Sequence, residues 1–239
     1  MFQITNITTL QEISEHIKLL REQKGKEKQV LVIIDKAINL GQGFTVNMLF
    51  ERSLSYQHLV MNGDKKALAK MEASILFVDK YVQDNNLKEW KSRSYRFLGR
   101  LYDYKGDFSK AIQAYKKSIA TVKSDPEPFR GLELEAFLAY STMMSGEIKA
   151  GLLGAKKLFK KFNTNSKALT LKKKDYLTWA IWRSGIPIRT INALIDKKQL
   201  FNNKEMLKWL AEAEKDLAKG DFSYRKAEIK TLKQKLQEN

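Results

Sequence analysis

Arg93, Arg96 and Arg100 stand at i, i+3 and i+7, a spacing that strings them along one face of a helix. The chain has nine arginines, so a third of its guanidinium groups share that stripe. Each guanidinium presents a planar fork of N–H donors that grips a carboxylate or phosphate through paired bonds. The stripe suits an acidic peptide or the carboxylate at a chain's end. The alternative is a solvated set paired with Glu89, Asp103 or Asp107.

A second cationic feature runs from Lys149 to Lys174, with nine lysines and no acidic residue. Lys156, Lys157, Lys160 and Lys161 lie opposite Leu152, Leu158, Phe159 and Phe162, which reads as an amphipathic helix with one charged face. Clustered charge of this kind attracts nucleic-acid phosphates or an anionic membrane surface, and the whole chain carries a formal charge of +17. Yet 35 lysines accompany the nine arginines, and no arginine-rich base-reading helix or stacking motif is present. A solvated face is the expectation, and nucleic acid is the second class of partner after protein. Ile17 to Gly25 superficially resembles the first helix of a helix-turn-helix regulator, but Gln29 and Leu31-Val32 do not continue that pattern.

Catalysis has no footing in the sequence. Zero cysteine excludes a disulfide framework, thiolate chemistry and cysteine-ligated zinc or iron–sulfur centres. Two histidines, His16 and His58, leave little for a metal site or a triad. There is no phosphate loop, nucleophile elbow or calcium loop, and Gly41-Gln42-Gly43 is a lone two-glycine loop. No carboxylate set marks a helical DNA glycosylase. The expectation is a protein that is not an enzyme and needs neither cofactor nor metal. The longest aliphatic run, Val30 to Ile34, is far short of the roughly 20 apolar residues that cross a bilayer. The first residues lack the basic start and apolar stretch of a signal peptide, so a cytoplasmic location is expected.

The elements that position these residues are legible from the breakers. Only 3 prolines and 12 glycines occur, which favours long helices. Gly25, Gly63, Gly106, Gly146, Gly185 and Gly220 follow one another at 38, 43, 40, 39 and 35 residues, an internal repeat. Four sit in similar turns: Asn62-Gly63-Asp64, Lys105-Gly106-Asp107, Ser145-Gly146-Glu147 and Lys219-Gly220-Asp221. Glycine supplies a left-handed cap for the helix before, and the acid favours the N-terminus of the helix after. Leu10, Ile13, Ile17 and Leu20 mark one apolar helix face, opened by a capping box at Thr9-Leu10-Gln11-Glu12. Pro187 reads as the opening turn of a helix that follows Gly185. A final helix over about 223 to 238 turns Tyr224, Ala227, Leu232 and Leu236 inward. Val30 to Ile34 is apolar on more than one side and must be covered by its neighbour or by a second copy of the chain, a homo-oligomer.

The third unit, residues 90–126, resembles a tetratricopeptide repeat. Tyr95, Leu98, Gly99, Tyr102, Ala111 and Tyr115 fall where that family has aromatic, Leu, Gly, aromatic, Ala and aromatic residues, and Gly106-Asp107-Phe108 matches its turn. Ser118 stands in place of a second alanine, and the closing proline, Pro126, comes late. The repeat intervals exceed the family's roughly 34 residues, and paired-helix HEAT repeats share a spacing near 40. The resemblance implies an all-α, right-handed α-solenoid of about six antiparallel hairpins forming a single domain, 1–239. It further implies a non-catalytic scaffold whose concave groove holds a peptide from a partner protein. By this resemblance the groove positions are Arg93, Arg96 and Arg100 in the third unit, Phe50, Ser53 and Gln57 in the second, Glu133, Ala136 and Tyr140 in the fourth, and Trp179 by its offset from Gly185. The other tryptophans, Trp90, Trp182 and Trp209, are expected to fill gaps between helices. The Lys and Asn set that clamps chaperone C-termini in some relatives is not reproduced.

Overall fold

A computed structural model describes residues 10–21, 23–39, 45–127, 129–199 and 203–237. Within them the chain forms twelve α-helices and no strand, as the scarcity of breakers requires. Packing divides it into two compact units, Met1–Trp90 and Lys91–Asn239, where the repeat spacing anticipates one continuous array.

The first unit holds α1 (Leu10–Leu20), α2 (Glu27–Asn39), α3 (Val46–Met61) and α4 (Ala67–Asp84). Ile13, Ile17 and Leu20 of α1 pack with Val30, Ile33, Ile34 and Ala37 of α2 and Met48 of α3 into one core. The apolar run is thus covered largely by its own neighbours, leaving Val32 at 50% exposure. Gly25 and Gly63 take φ of 90° and 88°, so the first two hairpin turns need glycine for its backbone freedom. Thr45 caps α3, its hydroxyl accepting from the Met48 amide at 3.3 Å. Thr9 of the capping box and the Gly41-Gln42-Gly43 loop lie outside the described residues.

The second unit contains α5 (Lys91–Lys105), α6 (Phe108–Thr121), α7 (Arg130–Met144), α8 (Ile148–Thr164), α9 (Ser166–Lys174), α10 (Tyr176–Asp196), α11 (Asn203–Asp216) and α12 (Ser223–Gln237). Helices α5 and α6 approach closely because Gly99 has no side chain: a Cβ there would lie 2.5 Å from Cε1 of Tyr115. Ala111 is fully buried at the same contact. Ser118 is also fully buried, and its partner explains why it need not be alanine. Its hydroxyl donates to the Ser92 carbonyl at 2.5 Å while the Ser92 hydroxyl donates to the Ser118 carbonyl at 3.0 Å, satisfying both. Gly151 performs the same service for α7 and α8, where a Cβ would sit 2.6 Å from the Ala139 carbonyl oxygen.

The fifth expected turn is absent. Gly185 and Pro187 lie inside α10, which runs unbroken for 21 residues. Ile186, Ile188, Ile191 and Leu194 are all buried, and this continuous apolar contact outweighs the two local breakers. Pro187 only forfeits the hydrogen bond that the Arg183 carbonyl would accept. The reversal comes later, at Lys198, whose φ of 52° fills the left-handed position without a glycine. There the Gln199 amide donates to the Leu194 carbonyl at 2.8 Å, closing α10 before α11 begins. Gly220 is extended rather than left-handed, with φ of −165°. The described helices therefore make five hairpins, α1–α2, α3–α4, α5–α6, α7–α8 and α10–α11, with α9 and α12 in addition.

Candidate functional site

In the second unit, one phenyl ring on α7 gathers charged side chains from two other helices. The guanidinium carbons of Arg96, Arg100 and Arg189 lie 5.0, 4.8 and 4.3 Å from the centroid of Phe137. Arg96 and Arg100 are one turn apart on α5, Phe137 sits on α7, and Arg189 comes from α10. Guanidinium groups stack well on an aromatic face because they are flat and weakly hydrated.

Two of the three have counterions. Arg96 donates to Glu133 at 2.6 Å, and Arg130 donates to the other oxygen of the same carboxylate at 3.2 Å. Burial would raise the Glu133 pKa, but Arg96 and Arg130 more than reverse this and hold it at about 2. Arg130 also places its Nε 2.9 Å from Asp125. Arg100 donates to Asp103 at 3.1 Å and to the Tyr104 hydroxyl at 3.2 Å. Asp103 accepts further from Ser141 at 2.6 Å and Tyr115 at 2.7 Å. Burial pushes the Asp103 carboxyl up, while Arg100 and these donors pull it back.

Arg189 differs. Among the described residues no carboxylate pairs with it, while its Nε, like those of Arg96, Arg100 and Arg130, is buried without a hydrogen-bond partner. The carboxylates that act on it electrostatically are Glu133 and Glu228. Glu133 is held by Arg96 and Arg130, and Glu228 by Arg225 at 3.1 Å. Burial, with Arg225 and Arg100 nearby, lowers the pKa of Arg189 to about 9. Tyr140 stands beside Arg100, and its phenol is pushed up to about 12, chiefly by burial, so it remains a neutral donor.

The residues expected to line a groove separate into several environments. Arg93 is half-buried, whereas Arg96 and Arg100 are buried in the ion pairs above, with Glu133 as counterion. Ala136 is buried and Tyr140 half-buried on α7. Trp179 is 1% exposed, against Phe162 and Tyr176 and under the charges of Lys172 and Arg183. In the first unit, Phe50 is fully buried and stacks on Trp90 at 5.9 Å. Ser53 is buried against Ser74, and Gln57 is buried with its Oε1 unpartnered. Phe50 and Trp179 thus belong to the core and offer no surface to a ligand. Arg189, Arg130, Tyr104 and Phe137 were not singled out by spacing. The available signal was Gly185, four residues before Arg189, which reads as a turn but seats a guanidinium.

The lysine stretch is a separate surface. Lys149, Lys157, Lys160, Lys167, Lys172, Lys173 and Lys174 are exposed, while Lys156 pairs with Glu205 at 2.9 Å and Lys161 with Glu135 at 2.7 Å. Among the described residues no cluster of three or more His, Asp or Glu is placed to hold a metal ion, and no helix is long and apolar enough to cross a membrane. Compared with known proteins, the chain matches no family model, no curated protein and no solved structure.

Proposed function

We propose that the chain is a non-catalytic scaffold of the tetratricopeptide-like, right-handed solenoid type that captures an acidic segment of a partner protein. The capturing surface is the one that α5, α7 and α10 build in the second unit. The observation that carries this reading is the ring of guanidinium groups around Phe137, in which one cation has no counterion of its own. An acidic peptide supplies what that ring lacks, and Tyr140 and Tyr104 add neutral donors at its edge. The Gly99–Tyr115 contact supports the family reading, since it is the close approach that a small residue permits in such repeats.

Photo-cross-linking in the source cells tests the proposal. A benzophenone amino acid at Tyr140 should capture a discrete protein partner, and the same probe at Lys160, on the exposed side of α8, should not. Equal labelling from both positions, or none from Tyr140, overturns the reading. Retention of duplex DNA or single-stranded RNA at about 150 mM salt, lost on replacing the exposed lysines of α8 and α9, would transfer the function to nucleic-acid binding.

A further inference from the structure

We propose that Arg189 is the anchor of a site for a single carboxylate, in which its guanidinium edge receives the anion while Phe137 backs its flat face and Gly185 makes room for it. This deepens the peptide-capture reading by naming the group on the partner that is recognised, and it rests on that reading for its biological source.

Three observations converge on Arg189. The first is its seating. A Cβ on Gly185 would lie 2.5 Å from Nη2 of Arg189 and 3.0 Å from Cζ, so the side chain folds back along its own helix over a position that only glycine leaves open. The second is its backing. Its Cζ lies 4.3 Å from the Phe137 centroid, so the ring backs the guanidinium, and the side chain is only half-buried. The third is its lack of a counterion. Arg96, Arg100, Arg130 and Arg225 are matched to Glu133, Asp103, Asp125 and Glu228, whereas Arg189 forms no ion pair with a carboxylate among the described residues.

Arg189 is half-buried, with its Nε shielded and without a hydrogen-bond partner, so its charge is only partly compensated by water and a bound anion relieves it. That leaves it able to receive an anion. The deficit is one charge, which fits a carboxylate better than a phosphate dianion. A planar carboxylate also matches the planar fork, and the tetrahedral oxygens of phosphate do not. The neighbouring Arg100 and Arg225, which disfavour the charge on Arg189, add attraction for the same anion.

The test follows the Arg189 Nε–H resonance by proton–nitrogen NMR, assigned by its loss in Arg189→Met, during titration of the full chain. N-acetylglycinate carries the carboxylate of a chain end, and N-acetylaspartic acid α-amide carries a free side-chain carboxylate as the alternative source. N-acetylglycinamide and sodium chloride at equal ionic strength are the controls. A saturable shift with either carboxylate and none with the controls is expected, and the tighter of the two acids identifies the source. Gly185→Ala should keep the amide spectrum of the folded chain yet weaken carboxylate binding by at least about tenfold, because its methyl displaces the guanidinium. Arg189→Met should abolish the binding and raise Tm by a few degrees, roughly 2–4 °C. An unmoved resonance, an equal response to chloride, tighter binding of inorganic phosphate, or an Arg189→Met variant less stable than the wild type would each overturn the anchor. If the anchor fails while the Tyr140 probe still captures its partner, peptide capture stands without it. If carboxylates bind and no partner is captured, the site is a small-carboxylate site and the scaffold reading falls.

Discussion

Small residues and paired charges set the energetics of the second unit. Gly99→Ala would press a methyl into the ring of Tyr115, which is fully buried, stacked on Phe137 at 5.5 Å and tied to Asp103 through its hydroxyl. Those contacts hold the ring in place, so urea denaturation should show a loss of about 1–3 kcal/mol, the cost of overpacking a tight core. Tyr115→Phe removes one donor from a buried carboxylate and should cost about 1–3 kcal/mol by the same measurement. Glu133 has a pH signature. Its folded pKa of about 2 lies below its ordinary 4.5, so the stability it contributes is fully present above pH 4.5 and is lost as pH falls toward 2. Glu133→Gln should therefore be less stable than wild type at pH 7 and should lose less further stability between pH 5 and pH 2. A parallel decline of the two proteins would show that Glu133 is not coupled to folding.

At the scale of the element, turn chemistry was legible wherever a glycine truly occupied a left-handed position. Gly25, Gly63, Gly106 and Gly146 all have positive φ, and a Cβ on any of them would meet nothing within 4 Å. Their role is backbone conformation alone. Gly185 misleads because glycine also serves where a neighbour needs space, and spacing does not distinguish the two uses. Lys198 is the converse, a left-handed residue with no sequence signal. Lys198→Gly should relieve its strain and stabilise the chain by up to about 1 kcal/mol, read as a higher urea midpoint. Ser118 shows how a departure from a repeat pattern is absorbed: the polar group is buried together with Ser92, and each hydroxyl finds the other's carbonyl.

For the whole molecule, the division into Met1–Trp90 and Lys91–Asn239 has a direct consequence. The second unit has its own apolar core, from Leu132 and Phe159 through Trp179 and Ile191 to Leu232, and α10 packs against helices on both sides of it in sequence. Expressed alone, residues 91–239 should fold into a helical protein with a single cooperative thermal transition followed by circular dichroism. A non-cooperative melt would show that its core needs the first ninety residues. The net charge of +17 disfavours compactness by self-repulsion, which salt screens.

Sequence alone determined the helical class, the first four hairpin turns and the α5–α6 contact, because periodicity, left-handed glycines and small-for-large packing are local or act across one turn. It also brought Arg96 and Arg100 to notice, since a helix face is set by spacing. Their burial, their pairing with Glu133 and Asp103, and the arrival of Arg189 at Phe137 were decided only when α5, α7 and α10 packed together. Those relations join residues as far apart as 96 and 189, and an arginine's counterion is fixed by proximity in space, which no one-dimensional pattern encodes.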